Sequence, residues 1–364
     1  MNVHTPHPDL PPPATSVGVI GWMRKNLFSS PINSLLTLAS LYLLFKYVPP
    51  VIRWALLDAN WLGSTRDACT NDGACWVFIK VRFLQFMFGF YPPDQYWRVV
   101  TAFTIFGVLI AWLLIDKTPK KGWVAAFTIL VYPFIAFILF YGGMGLPVVP
   151  THKWGGLMLT LILATIGMFF ALPFGIILAL GRRSALPIPK MLSVMFIELW
   201  RGVPLITVLF MSSVMLPLFM PEDFRIDKLV RALIGISLFQ SAYMAEVIRG
   251  GLQALPKGQQ EAANALGLSY WQSMFLIILP QALKTVIPGI VNTFIELFKD
   301  TTLVLIIGLM DLLAIIQAAF TDTKWLGFSV EGYVFAGLIY WIFCFSMSQY
   351  SQHLERKLHT GHKR

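Results

Sequence analysis

Long apolar runs separated by short polar and basic stretches dominate this chain, and their lengths set the first expectation. A bilayer core of about 30 Å takes roughly 20 largely apolar helical residues. Eight stretches meet that requirement: 31–57 (with a break expected at Pro49-Pro50), 98–115, 123–141, 155–180, 191–219, 229–248, 273–297 and 333–350. A further apolar stretch, Thr302 to Phe320, is interrupted by Asp311 and Gln317. It reads as a helix-and-loop segment packed in protein rather than a lipid-facing span. The pattern predicts an all-α integral membrane protein with about eight transmembrane helices. Pro173, Pro204, Pro217, Pro280 and Pro288 lie in or beside these spans. There they break the hydrogen-bond ladder and supply kinks, which serve either packing or gating.

Composition agrees with that class and removes others. Hydrophobic residues make up 57% and charged residues 13%, a balance that a soluble domain of this size does not sustain. The net charge of +10 is spread in small patches between apolar runs, not gathered on one face, so it reads as membrane topology and not as a nucleic-acid surface. Arg24 and Lys25 precede the first span, Lys117, Lys120 and Lys121 follow the second, Arg182, Arg183 and Lys190 follow the fourth, and Arg249 and Lys257 follow the sixth. With eight spans all of them fall on one side, and both termini are expected in the cytoplasm. Residues 1–30 read as a disordered cytoplasmic tail. Their Pro-rich start has no apolar core, so it is not a signal peptide. Residues 31–150 form an extension of about three spans with an outer loop near 58–97, residues 151–359 form the main transmembrane core, and 360–364 form a basic tail.

Cys69 and Cys75 lie in that outer loop. In an oxidising compartment they close a short disulfide, and otherwise they remain two thiols. Neither has a His or carboxylate partner at ligand spacing, and all six histidines sit in tails or loops without a His-Glu pattern, so no metal site is expected.

The most informative segment, 249–272, leaves the sixth span at Arg249-Gly250-Gly251. Gln259 to Leu266 suits a short helix, Gly267 a C-terminal stop, and Ser269 with Gln272 the capping box of a second helix. Ala262, Ala263, Ala265 and Gly267 give the short helix almost no bulk, and Glu261 adds one charge. Another protein's cleft can close around such a piece. A plain alanine-rich loop would share this composition, but not the Glu-Ala-Ala start, the Gly267 stop and the Ile278-Leu279-Pro280 run together.

Those residues carry a resemblance. Residues 155–359 resemble the membrane subunit of ATP-binding-cassette importers for polar amino acids, of the histidine, glutamine and arginine permease type. The matching runs are Arg201-Gly202-Val203-Pro204-Leu205, Ser241-Ala242-Tyr243-Met244-Ala245-Glu246-Val247-Ile248-Arg249-Gly250-Gly251, Gly258-Gln259-Gln260-Glu261-Ala262-Ala263, Leu279-Pro280-Gln281-Ala282 and Lys299-Asp300-Thr301-Thr302-Leu303. Val203 stands where Thr is common, and Thr302 where Ser is common. The N-terminal extension is similar to that of the general L-amino-acid permease membrane subunits. The resemblance implies a bacterial inner-membrane permease that pairs with a homologous subunit, stands on two ATPase subunits and receives amino acid from a periplasmic binding protein. ATP and Mg would sit on the ATPase partners, since this chain has no Gly-x-x-x-x-Gly-Lys-[Ser/Thr] loop. It also implies a coupling helix built on Glu261, Ala262, Ala263, Ala265 and Gly267, with Pro280 behind it.

Intramembrane charge marks the candidate substrate path. Glu198 and Arg201 share one helix face, and counting from Lys190 places Arg201 roughly 16 Å into the membrane, near its middle. Gly202 and Pro204 can open a helix end there to a substrate carboxylate; a neutral Glu198–Arg201 pair that fixes packing is the alternative. Glu246 and Arg249 repeat the spacing as a gating or structural pair. Gln240 and Tyr243 are polar candidates in mid-span, and Glu296, Lys299, Asp300 and Thr301 cluster where the seventh span emerges. An ion-coupled secondary transporter would share the charges and kinks, but not the coupling segment.

Overall fold

The computed structural model describes residues 18–70, 72–115, 117–221 and 226–358. The Pro-rich start, Asn71, Asp116, residues 222–225 and the basic tail lie outside them. Contacts divide the chain into two compact units, residues 1–78 and 79–364, and not at 150/151.

The first unit carries α1 (Gly18–Asn26) and α2 (Pro31–Ile52). The break expected at Pro49-Pro50 does not occur: α2 runs through both prolines and widens into a π turn, Arg53–Leu57. The two rings remove amide donors but not acceptors, and the Arg53 amide donates to the carbonyls of Pro49 and Pro50. No α2 side chain is buried within the chain. In the following loop the Trp76 indole donates to the Ala55 carbonyl at 2.7 Å, and the Trp61 ring lies 5.8 Å from that of Trp76. Cys69 and Cys75 sit in disulfide contact with Cα atoms 5.6 Å apart, a separation that a disulfide bridges readily.

Helix α3 (Trp76–Phe88) precedes α4 (Tyr96–Leu114), α5 (Lys121–Leu130), α6 (Tyr132–Tyr141) and α7 (Gly156–Arg182). Then come α8 (Pro187–Gly202), α9 (Leu205–Phe210), α10 (Lys228–Ala254), α11 (Lys257–Ala265) and α12 (Tyr270–Ser273). The chain ends with α13 (Leu279–Thr285), α14 (Ile287–Asp300), α15 (Leu312–Phe320) and α16 (Ser329–Leu358). Four stretches are long and apolar enough to cross a membrane alone: Pro31–Leu57, Pro93–Leu114, Gly156–Arg182 and Ser329–Leu358. Three bent pairs raise the number to seven: α5 with α6 at 41°, Pro187–Arg201 with Leu205–Phe219 at 100°, and Tyr270–Thr285 with Ile287–Ile307 at 63°. The expected sixth span is α10, which has the length, at 27 residues, but is more polar because most of its circumference faces protein.

Helices α7 and α10 form the axis of the second unit. Met158, Leu159 and Leu163 of α7 meet Ile236 and Phe239 of α10 in one core, which also takes Val99 and Ala102 from α4, Tyr132 and Phe140 from α6, and Leu297 from α14. That shared core is why the contacts do not divide at residue 151. A second core joins Ala171 and Ala179 of α7 to Met244, Ala245 and Ile248 of α10, with Ile278 and Ala282 alongside. Small residues permit the close approach: a Cβ on Gly175 would meet Met244 at 2.6 Å, and one on Gly251 would meet the Ala282 carbonyl at 2.7 Å.

Four of the five prolines in or beside spans sit at irregular backbone. Pro204 and Pro288 flank the 100° and 63° bends. Pro217 and Pro280 each follow a π turn, Met211–Met215 and Met274–Ile278, which contains the residue four positions back. A proline ring collides with that carbonyl in a regular helix, and the wider turn moves it away. Pro173, by contrast, stays inside a continuous α7.

Helix ends inside the unit find internal partners. Arg98, fully buried, donates from Nε to the Leu139 carbonyl at 2.7 Å, from Nη2 to Ile138 at 3.2 Å and from Nη1 to Pro147 at 2.9 Å. With the Tyr91 hydroxyl on the Phe140 carbonyl at 2.9 Å, it closes the C-terminus of α6. Asp311, also fully buried, caps α15 by accepting from the Ala314 amide at 3.0 Å and the Tyr340 hydroxyl at 3.1 Å. This bears out the reading of 302–320 as a packed helix-and-loop segment: Thr301–Ile307 is a 3-10 turn ahead of α15. Outside the spans, the Lys324 amide and the Arg82 guanidinium both hold the Asp322 carboxyl below its usual range.

Replacing Arg98 by Met removes the guanidinium from three carbonyls, of which Ile138 also accepts from the Gly142 amide and Leu139 from the Tyr91 hydroxyl, and should destabilise the second unit by about 2 kcal/mol or more, read as a lower melting temperature in detergent. An unchanged melting curve would show that those carbonyls find other donors. Non-reducing electrophoresis of the full chain, cleaved between Cys69 and Cys75, should keep the fragments joined until a thiol reductant is added.

Candidate functional site

Two constellations draw together residues singled out from the sequence. The first is built on α11. It follows α10 after Leu255-Pro256, and Pro256 stands at its N-cap position, where a proline's missing amide is not needed. At the other end Gly267, at φ +73°, donates to the Asn264 carbonyl at 3.0 Å, and Leu268 donates to Ala263 at 3.2 Å. This paired closure needs a left-handed residue, which glycine supplies without strain. Ser269 and Gln272 then form the capping box of α12, as the spacing predicts. Ala263 faces inward at 1% exposure. Gln260 reaches Ser273 Oγ at 3.1 Å, and Gln281 donates to Gln259 Oε1 at 3.2 Å, one residue after Pro280. Glu261, Ala262, Ala265, Leu266 and Gly267 are left exposed, with Tyr270 and Trp271 beside them. The result is a low-relief apolar knob with one carboxylate, held by hydrogen bonds on its inner face.

The second constellation is ionic. Glu246 of α10 sits at its centre: Arg182, at the end of α7, approaches Oε1 at 3.0 Å, Arg249 approaches Oε2 at 2.9 Å, and Arg201 of α8 lies 3.7 Å from Oε2. Glu198 pairs with Arg182 at 2.8 Å. The three-residue spacings offer two local pairs, Glu246 with Arg249 and, as the alternative to a substrate contact at Arg201, Glu198 with Arg201. The structure keeps the first, breaks the second and joins everything through Arg182, whose role no local spacing signals. Three arginines against two glutamates leave one positive charge in excess. By residue count Glu246 is about 12 Å from the α10 end that leads to α11, so the network lies in that half of the bundle and not at its middle.

Tyr243 stands one turn from Glu246, with the Arg201 guanidinium 5.7 Å above its ring. Gln240 does not open to a cavity: it is buried and donates to the Thr293 carbonyl of α14 at 2.7 Å. Glu296 and Lys299 are exposed, Asp300 is half-buried and Thr301 is buried, donating to the Phe298 carbonyl. None of these four takes part in the ion pairs around Glu246. Among the described residues, no three His, Cys, Asp or Glu side chains gather to hold a metal ion.

Comparison with known proteins places this geometry. The family model described as "Binding-protein-dependent transport system inner membrane component" matches residues 171–360, a stretch that contains both constellations. The chain belongs to this family. Over 98% of its length it is 61% identical to the inner membrane amino-acid ABC transporter permease protein YhdY of Escherichia coli (strain K12), covering 97% of that protein. It is 41% identical over 97% of its length to the glutamate/glutamine/aspartate/asparagine transport system permease protein BztC of Rhodobacter capsulatus, covering 96% of it. A solved structure described as an amino acid ABC transporter with histidines matches 56% of this chain and 92% of its own, at 30% identity and a TM-score of 0.50. Family membership makes this a multi-pass inner-membrane permease subunit and not an ATPase. An ion-coupled carrier finds no support among these relatives. The two full-length relatives match nearly the whole chain, N-terminal extension included, while the solved structure matches little more than half of it.

Glu246→Gln should cost about 2–4 kcal/mol, because it removes the carboxylate that three arginines share. Glu198→Gln, at a side chain 56% exposed, should cost less than about 1 kcal/mol. Melting of both variants in one detergent checks the order, and equal shifts would remove Glu246 from the centre.

Proposed function

We propose that this chain is the permease subunit of an importer for polar amino acids, with α11 as the helix through which a separate ATPase drives it. The observation that carries the reading is the exposed, hydrogen-bond-braced knob of α11, one linker away from the axial helix α10. Two ATPase subunits, holding ATP and Mg, grip this knob and its counterpart on a homologous permease subunit. A rigid body that ends in α11 then passes the motion into the α7–α10 axis. Glutamate, glutamine, aspartate and asparagine in the name of one full-length relative support small polar and acidic amino acids as cargo, delivered by a periplasmic binding protein.

Arg201 is the arginine held most loosely by Glu246, and it lies beside the 100° break of α8 and α9. In an excess positive field it is the group best placed to meet a substrate carboxylate, with Tyr243 beneath it. Glu296, Lys299, Asp300 and Thr301 remain candidates for the opposite mouth. The clustering of Lys and Arg supports a cytoplasmic side for α11 and both termini, and a periplasmic side for the Cys69–Cys75 loop.

Affinity purification of the chain from its native membrane in mild detergent should bring down a P-loop ATPase and a second permease, with ATP hydrolysis raised by the amino-acid-loaded binding protein. Gly267→Asp, which adds bulk and charge to the knob, should insert normally, lose the ATPase and abolish uptake. Recovery of the chain alone, with uptake that follows an ion gradient, would overturn the proposal.

A further inference from the structure

Between the end of α4 and the start of α5, away from both constellations, lies a cavity of about 410 Å³ lined by Leu109, Trp112, Pro119, Lys120, Trp123, Val124 and Phe127. Six of its seven lining residues are apolar, and the seventh is a lysine at the rim. The turn that forms the rim is pinned. The Trp112 indole donates to the Pro119 carbonyl at 3.1 Å, and the Thr118 hydroxyl donates to the Trp112 carbonyl at 2.6 Å. Lys120 itself is held at φ 54°, in the left-handed region that a non-glycine residue seldom occupies. It stands at the N-cap of α5, where its side chain makes no capping hydrogen bond, because an ammonium has no acceptor to offer.

Lys117 and Lys121 lie within three residues of Lys120. The one acidic residue of the turn, Asp116, is outside the described residues, and the stretch 115–121 carries three lysines against it. Two tryptophans flank the cavity, the residue type that settles at the headgroup level of a bilayer. An apolar slot open at the side of the bundle, tryptophan walls and a basic rim match one ligand chemistry. The slot takes an acyl chain, and the rim takes a negatively charged headgroup.

We propose that this cavity is a binding site for an anionic phospholipid. Its acyl chain lies against Leu109, Val124 and Phe127, and its phosphate meets Lys120 and the neighbouring lysines at the open start of α5. Charge complementarity selects this occupant over a zwitterionic lipid, which would gain the slot but little from the rim. The site is independent of the transport reading, since none of its residues belongs to α11 or to the ionic network.

Native mass spectrometry of the full-length chain in mild detergent tests the site. The probes are phosphatidylglycerol and phosphatidylcholine with identical oleoyl chains, and glycerol 3-phosphate as a headgroup without chains. Phosphatidylglycerol should be retained preferentially, and the K117Q/K120Q/K121Q variant should lose that preference by about fivefold per lysine. Since removing three positive charges can disturb insertion, Val124→Trp provides a second variant that fills the slot and keeps the charges. It should lower retention of both lipids. Equal retention of the two lipids by the unaltered chain, unchanged retention by both variants, or displacement of phosphatidylglycerol by glycerol 3-phosphate alone would each overturn the site.

Discussion

The structure depends on one constraint: inside hydrocarbon, every backbone amide and carbonyl needs a partner within the protein. A chain of straight helices meets it without help. This chain breaks or bends three of its apolar stretches and so must supply donors and acceptors at the breaks. Arg98 and Tyr91 do so for α6, Asp311 for α15, and the widened turns before Pro217 and Pro280 relieve the collisions that the prolines create. Polar side chains that look anomalous in an apolar sequence are therefore the condition on which the irregular backbone exists.

Once the breaks are stabilised, the α7–α10 pair becomes a continuous element between two regions of different character. One core packs it against α4, α6 and α14, and the other against α13 near α11. Small residues at Gly175 and Gly251 bring backbones close enough that displacement of one helix is felt by its neighbours. The ionic network sits on the same axis, tying the ends of α7 and α10 to α8 immediately before its 100° bend. Under the proposed function, a push on α11 arrives at a place where charged groups already span three helices.

Much was legible along the chain. The segment 249–272 could be read nearly residue by residue, because caps, glycine stops and capping boxes are local chemistry acting over three to six positions. Pro204 and Pro288 marked two of the breaks, and Asp311 marked the packed segment, for the same reason. Pro49-Pro50 misled because prolines remove amide donors but keep their carbonyls as acceptors, so the ladder resumes directly after them through the Arg53 amide.

Read alone, the sequence yields the class of protein, most of the apolar spans, the short capped helix after α10 and the family its motifs resemble. Only the tertiary structure decided which charges meet. Arg182 and Glu246 are 64 positions apart, Arg98 and Leu139 41 apart, and no periodicity along one helix encodes a contact between two. Gln240, chosen from the sequence for the path, is instead spent on the backbone of α14. Arg182, first counted as a topology signal, ties both glutamates together. Local hydrogen-bond chemistry is written in short spacing, whereas electrostatic partnership in a low-dielectric bundle follows from how the helices pack.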